Sequence, residues 1–222
     1  MPLDGPIVCL VTDRRRLVGA DGPFDTARAA LAALARDAAA AEVTLIQIRE
    51  PGLEAAQLGD LVAALVDATR GSATRIVVND RLDVALAARA DGVHLRGDSI
   101  SSRAARTIAP AGFLIGRSVH RVEEAREHAA SSDYLIAGTV FPTGSKPASA
   151  PLLSLNGLRE IAAAVRVPVL AIGGITVDRF ADVAAAGAAG VAGIGLFVPG
   201  GIPLARVVGG ARAQFDRATA AS

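Results

Sequence analysis

Several things are scarce in this sequence. Its 222 residues include no tryptophan, one tyrosine, one cysteine, one methionine and three histidines. A lone thiol, Cys9, forms no internal disulfide, so the fold does not depend on an oxidising compartment. Neither sign of charge is in excess: 23 Lys and Arg against 22 Asp and Glu leave a net charge of +1. Nucleic acid and anionic membrane surfaces are therefore not expected partners. No stretch of roughly 18 uninterrupted apolar residues occurs, so no membrane-spanning helix is expected. The start, MPLDGPIVCL, has no basic n-region. No G-x-G-x-x-G follows the first apolar run, which removes the dinucleotide fingerprint. No linker or shift in composition divides the chain. A cytoplasmic protein with one domain spanning 1–222 is expected.

What is present is apolar and regular. About half of the chain (51%) is hydrophobic, ample for a core. Short β-branched runs alternate with longer Ala/Leu/Arg segments of helical period. Strands are predicted at 7–12, 43–49, 75–79, 92–95, 113–119, 134–140, 167–172 and 190–195. Helices are predicted at 26–40, 54–70, 81–89, 100–109, 121–130, 155–165, 177–186 and 203–218. The strands read apolar throughout rather than alternating, as strands buried on both faces of a parallel sheet do. Eight such units predict a single closed (β/α)8 barrel, the TIM barrel, whose active site lies in the loops after the strands.

Polar residues at those strand ends are the candidates. Gln47 and Arg49 are two apart and share a face. The guanidinium either grips an anion or pairs with a barrel carboxylate. Asn79 can hydrogen-bond a ligand; Asp80 either holds Mg²⁺ through a diphosphate or caps the next helix. His94 reads as a buried structural histidine, and His128, among Glu and Arg, as a solvated surface residue. His120 ends the run FLIGRSVH at 113–120. The loop FPTGSKP, 141–147, offers Thr143, Ser145 and Lys146 to an oxyanion, or is an ordinary polar loop. AIGGIT (171–176) and AGIGLF (192–197) put Gly173, Gly174, Ile194 and Gly195 where this fold often binds phosphate. Backbone amides there approach a ligand closely, with the following helix pointing its positive end at the opening.

In this order, IQIRE, NDRLDVALAARADGVHL, IGRSVH, FPTGSKP and PVLAIGGIT resemble the thiamine-phosphate synthase and TenI (thiazole tautomerase) superfamily. The resemblance runs from VTDRR at 11–15 to GIGLF at 193–197. For the synthase it implies coupling of a hydroxymethylpyrimidine diphosphate to a thiazole phosphate with loss of pyrophosphate. The diphosphate is then held by Q-x-R-x-K, an Asn-Asp pair, a T-x-[ST]-K loop and Mg²⁺. Gln47, Arg49, Asn79, Asp80, Thr143, Ser145 and Lys146 match that pattern, and Ser118 of GRSVH joins the substrate contacts. Two positions depart from it. Pro51 replaces the lysine of Q-x-R-x-K, and the G-Q-x-D turn that supplies a second metal ligand reads Arg96-Gly97-Asp98-Ser99. Asp98 lies one residue early.

Departing pyrophosphate builds negative charge that cations must stabilise. The two departures therefore predict weak coupling and favour the TenI-type branch. There the resemblance makes His120 the proton shuttle that aromatises a thiazole carboxylate phosphate, with no cofactor. Many synthases carry a related G-x-S-x-H segment. Thiamine-phosphate synthase, with Mg²⁺ on Asp80, is the alternative; a non-catalytic binder of thiazole or thiamine phosphates is the third reading. A homo-oligomer is compatible with each.

Overall fold

Parallel pairing in strict sequence order closes the sheet on itself, with β8 returning to β1. The strands of this computed structural model are β1 (Ile7–Val11), β2 (Leu45–Ile48), β3 (Arg75–Asn79), β4 (Gly92–Leu95), β5 (Leu114–Val119), β6 (Tyr134–Gly138), β7 (Val169–Ile172) and β8 (Gly190–Gly193). Between them run α1 (Arg14–Val18), α2 (Phe24–Ala40), α3 (Ala55–Ala68), α4 (Leu82–Ala87), α5 (Ser102–Ile108), α6 (Val122–Ala129), α7 (Ser154–Ala164), α8 (Phe180–Ala185) and α9 (Leu204–Ala220). The structure describes residues 3, 5–144, 149, 151–198 and 201–220. The expected (β/α)8 barrel is the observed fold.

Two apolar layers arise from the period of two along each strand. Val8, Ile46, Ile48, Ile76, Val78, Val93, Leu95, Ile115 and Val169 face the helices. Cys9, Leu45, Val77, Leu114, Tyr134, Ile136 and Leu170 fill the barrel. The helices meet the outer layer along narrow stripes, such as Leu58, Leu61, Val62 and Leu65 of α3. Inside, Tyr134 is fully buried and lies across Gly116. A Cβ on Gly116 would sit 2.2 Å from the Tyr134 ring and 2.6 Å from His94 Nδ1. Burial holds the Cys9 thiol up at about 12, so it is an inert part of the core.

Element bounds differ from the sequence pattern where the backbone has other partners. Strand two starts at 45 because the Val43 amide donates to Ala38 O (2.9 Å), closing the end of α2. Strand seven starts at 169 because Pro168 has no N–H to give the ladder. The helix expected over 177–186 is a 3₁₀ turn at Val177–Arg179 followed by α8, and strand eight gives way to a 3₁₀ turn at Gly195–Phe197. The short α1 was not expected; its Asp13 side chain accepts from the Arg15 amide and starts the turn. His128, expected at the surface, is buried (9% exposed) on the Ala125 side of α6. Burial first, and then the nearby Arg117 guanidinium, lower its pKa.

Candidate active site

The inward register that fills the barrel continues to its carboxyl end. There it brings together Gln47 and Arg49 from β2, Asn79 from β3, His94 and Arg96 from β4, and Ser118 and His120 from β5. Gln47 and His94 are buried, Asn79 and Ser118 half-buried, and Arg49, Arg96 and His120 exposed.

The loops after β1 and β2 are tied to each other. Thr12 Oγ1 accepts from the Arg49 amide (3.0 Å), and both oxygens of buried Glu50 accept from the Arg14 amide (3.1 Å each). The Arg14 guanidinium also meets Glu50 at 3.3 Å. The Glu50 carboxylate, next to Arg49 in sequence, is thus taken by Arg14, and the Arg49 guanidinium has no ion pair or hydrogen bond among the described residues. Pairing with a barrel carboxylate, one option open for Arg49 in the sequence, is not what the structure adopts.

Asp80 does not cap the next helix either. Arg81 holds the position before α4 and makes no side-chain cap. Asp80 has left-handed backbone (φ 65°), uncommon for a residue with a Cβ. Its carboxylate accepts from the Ser99 hydroxyl and lies 3.8 Å from Arg96 Nη1. Arg96 Nη2 in turn donates to Asp98 at 2.5 Å. Ser99 Oγ closes the turn by accepting from the Arg96 amide (2.8 Å). Below the turn, buried Arg117 donates to Gly97 O (3.0 Å) and Ile100 O (2.6 Å).

This geometry bears on the magnesium site expected at Asp80. Among the described residues no three His, Cys, Asp or Glu side chains gather where a metal ion could be held. Asp80 is present, the second ligand position is the neutral hydroxyl of Ser99, and the Arg96 guanidinium lies between Asp80 and Asp98. The donor set does not fit a metal held by two carboxylates.

His94 Nε2 hydrogen-bonds Ser118 Oγ at 2.8 Å, and its ring stacks on Tyr134 with centroids 5.7 Å apart. Burial, with a smaller push from Arg117, lowers its pKa to about 3, so the imidazole is neutral. The reading of His94 as a buried histidine holds, and the structure adds that it orients Ser118. His120 behaves oppositely. Its backbone N–H donates to Glu124 (2.8 Å), and its ring Nδ1 lies 2.5 Å from Gly138 O. A carbonyl only accepts, so Nδ1 carries the proton and Nε2 is left for another partner.

Across the mouth the groups are mostly backbone. Gly173 and Gly174 have φ of 98° and 62°, and a Cβ on Gly174 would sit 2.5 Å from Pro142 O and 2.8 Å from Phe141 Cβ. These glycines are required by the close approach of the β6 loop as well as by any ligand. Arg179 fastens the same corner, donating to Gly174 O (2.6 Å) and covering the Phe141 ring at 4.4 Å. Ile194 borders the inner cluster. Gly195 is exposed; the atom nearest its would-be Cβ is Arg16 Nη1 at 3.8 Å. Past Gly174 the 3₁₀ turn Val177–Arg179 runs on into α8, whereas at Gly195 the chain forms only the three-residue 3₁₀ turn Gly195–Phe197. Thr143 is half-buried in the β6 loop; Ser145 and Lys146 lie outside the described residues.

Sequence reasoning did not assign Arg16, Arg96, Glu50, Ser99 or Arg117 to this site. For Arg96 the signal was available: it lies two residues beyond His94 and so on the same face.

With the geometry in place, comparison with known proteins gives a consistent result. The family model described as thiamine monophosphate synthase matches residues 9–197. A thiamine-phosphate synthase of Methanoculleus marisnigri is 46% identical over 85% of this chain and 88% of its own length. One from Moorella thermoacetica is 42% identical over 71% of this chain and 76% of its own. Among solved structures, a thiamine phosphate pyrophosphorylase from Pyrococcus furiosus superposes with a TM-score of 0.77 at 32% identity, covering 96% of both chains. The first two carry the synthase name and the third the name pyrophosphorylase, and none of the three names the TenI-type branch. The chain belongs to the thiamine monophosphate synthase family.

Proposed function

We propose that this chain is a thiamine-phosphate synthase, coupling a hydroxymethylpyrimidine diphosphate to a thiazole phosphate with release of pyrophosphate. The observation that carries this reading is its 46% identity, over 85% of the chain, to a protein of that name. The thiazole nitrogen attacks the pyrimidine methylene carbon. The bond from that carbon to the diphosphate oxygen breaks, and its electron pair leaves with pyrophosphate. No proton moves in this step, so the rate depends on stabilising charge on the leaving group.

The arrangement of the mouth suits that division of labour. Arg49, with no partner among the described residues, and Asn79 grip the diphosphate. Gln47 and Ser118, the latter fixed by neutral His94, hold the pyrimidine. The thiazole phosphate lies on the backbone of 173–174 and 194–195 beside Thr143. Ser145 and Lys146 join that grip on the resemblance alone. In this reading the partners are two small phosphorylated molecules, the location is cytoplasmic, and residues 1–222 act as one unit.

One observation favours a second reading, the TenI-type tautomerase. His120 keeps Nδ1 on the Gly138 carbonyl and leaves Nε2 open at the mouth, as a proton shuttle requires. The deciding experiment supplies the purified chain with both substrates and follows thiamine phosphate by chromatography. In parallel, carboxylated thiazole phosphate alone is followed by NMR. Repeated turnover to thiamine phosphate is the expected result. No coupling, together with isomerisation of the carboxylated thiazole, would replace the synthase by the tautomerase.

A further inference from the structure

We propose that Arg96 is a diphosphate-binding residue, and that its guanidinium supplies the positive charge a metal ion would otherwise bring to Asp80. This rests on the synthase reading and concerns how that enzyme holds its leaving group.

The electrostatics of Asp80 come first. A carboxylate at the edge of an anion site repels the anion unless a cation stands between them. Here the cation is in the chain itself, with Arg96 Nη1 3.8 Å from Asp80 Oδ2. Compared with a two-carboxylate metal site, the second ligand position is the neutral Ser99, the other carboxylate, Asp98, lies one residue early and turns to Arg96, and the turn holds one guanidinium more. Asp80, Asp98 and Arg96 together carry one negative charge, where two carboxylates alone would carry two, so the guanidinium offsets part of the charge that a metal ion would neutralise.

Placement supports the same role. Arg96 continues the inward register of His94, and Asn79 pairs with His94 across β3 and β4. Arg49 continues the inward register of β2 on the other side of β3. Arg49 and Arg96 therefore stand on the two strands that flank Asn79 and Asp80, where two guanidinium groups can serve the several oxygens of a diphosphate. The turn is also supported from beneath. Arg117, itself 4% exposed, spends two N–H groups on the carbonyls of Gly97 and Ile100. Ser99 locks it from within by bonding both the Arg96 amide and Asp80. The Asp98 pair alone gives little reason for such support, since Asp98 is 71% exposed and such pairs contribute little. It parks the guanidinium while the site is free of anion.

The test uses inorganic pyrophosphate as probe and calorimetry as readout, on the full chain, in chelator and in excess magnesium. Wild type is expected to bind pyrophosphate in chelator within about threefold of its affinity in magnesium. Arg96→Gln is expected to lose at least tenfold in chelator, and Arg96→Lys to fall between. The double substitution Arg96→Gly with Ser99→Asp rebuilds the two-carboxylate turn, and its pyrophosphate binding is expected to require magnesium. Arg96 is exposed, so the variants fold; circular dichroism verifies it. Wild type that binds pyrophosphate only with magnesium, or Arg96→Gln with unchanged affinity in chelator, overturns the proposal. Because binding is read without turnover, a chain that binds pyrophosphate as expected yet makes no thiamine phosphate would sink the synthase reading instead.

Discussion

The two halves of the barrel mouth are built from different materials. Strands two to five end in side chains: Gln47, Arg49, Asn79, Asp80, His94, Arg96, Ser118 and His120. Strands seven and eight end in backbone: Gly173, Gly174 and Gly195, with φ values and close approaches that exclude larger residues at the first two. A side-chain half can lose one group and keep its shape. The backbone half cannot be edited at Gly173 or Gly174 without moving the chain. The contrast matches the proposed chemistry, in which charge develops on one substrate while the other is only held in place.

The sharpest way to break this comparison is at Arg49. Its guanidinium has no protein partner among the described residues, so removing it leaves no buried charge behind. Arg49→Ala should fold normally and lose about 10²–10³-fold in coupling rate, the scale of one donor to a developing charge. Its affinity for thiazole phosphate, measured by calorimetry, should not change. If that affinity falls as far as the rate, the halves are not separate.

Next is the buried end of the side-chain half. The pKa of His94 is lowered to about 3 by burial, against about 6.5 in an unfolded chain. Between those values the unfolded chain binds a proton that the folded chain does not. Stability from this group is thus fully present above pH 6.5 and is lost as pH falls toward 3, by up to about 1.4 kcal/mol per pH unit. His128, also lowered, acts in the same direction, so the measurement is a difference. Urea melts of wild type and His94→Gln between pH 6.5 and 5 should show the shallower slope in the variant. Equal slopes would mean that His94 takes up its proton without unfolding.

Much of this was legible beforehand, for definite reasons. Apolar runs such as RIVVN and GVHL were placed to the residue, because strands buried on both faces have no competing pattern. The candidate residues of strands two to five fell on one register because period two is a property of the backbone. On the choice between synthase and tautomerase the sequence pattern favours the tautomerase, whereas the names of the relatives favour the synthase. Positive charge was counted position by position, so Pro51 and Ser99 read as losses. Arg96 was not counted, because its role depends on a turn pinned by Arg117 from the next strand. His128 was misplaced for a similar reason: its neighbours in sequence are charged, but its helix turns it inward. Contacts between strands far apart in sequence leave no mark on local composition.

In the backbone half, Gly174→Val and Gly195→Ala separate fold from ligand. A side chain at Gly174 meets Phe141 and Pro142 and sits at φ 62°, so this variant should lose both melting temperature and thiazole phosphate affinity, the latter at least tenfold, about 1.4 kcal/mol. A Cβ at Gly195 meets only Arg16 Nη1, at an ordinary contact distance of 3.8 Å. Gly195→Ala should melt with wild type and still weaken thiazole phosphate binding severalfold. If it binds normally, the phosphate does not lie over Gly195.

The smallest expected effect belongs to His120, the residue that stood out most in the sequence. Coupling transfers no proton in its bond-making step, so an imidazole with its Nδ1 on the Gly138 carbonyl helps only by position. Asparagine can make the same bond to Gly138 O but does not titrate near neutrality. His120→Asn should therefore lose about threefold or less in coupling, far below the 10²–10⁴-fold typical of a lost general acid–base group. Its coupling rate should also keep the pH profile of wild type between pH 6 and 8. A loss above a hundredfold, with a changed profile, would mean that a proton moves through His120 during turnover. The division of the mouth into a half that manages leaving-group charge and a half that holds phosphate would then be incomplete, because a third element at the end of β5 would be doing acid–base chemistry.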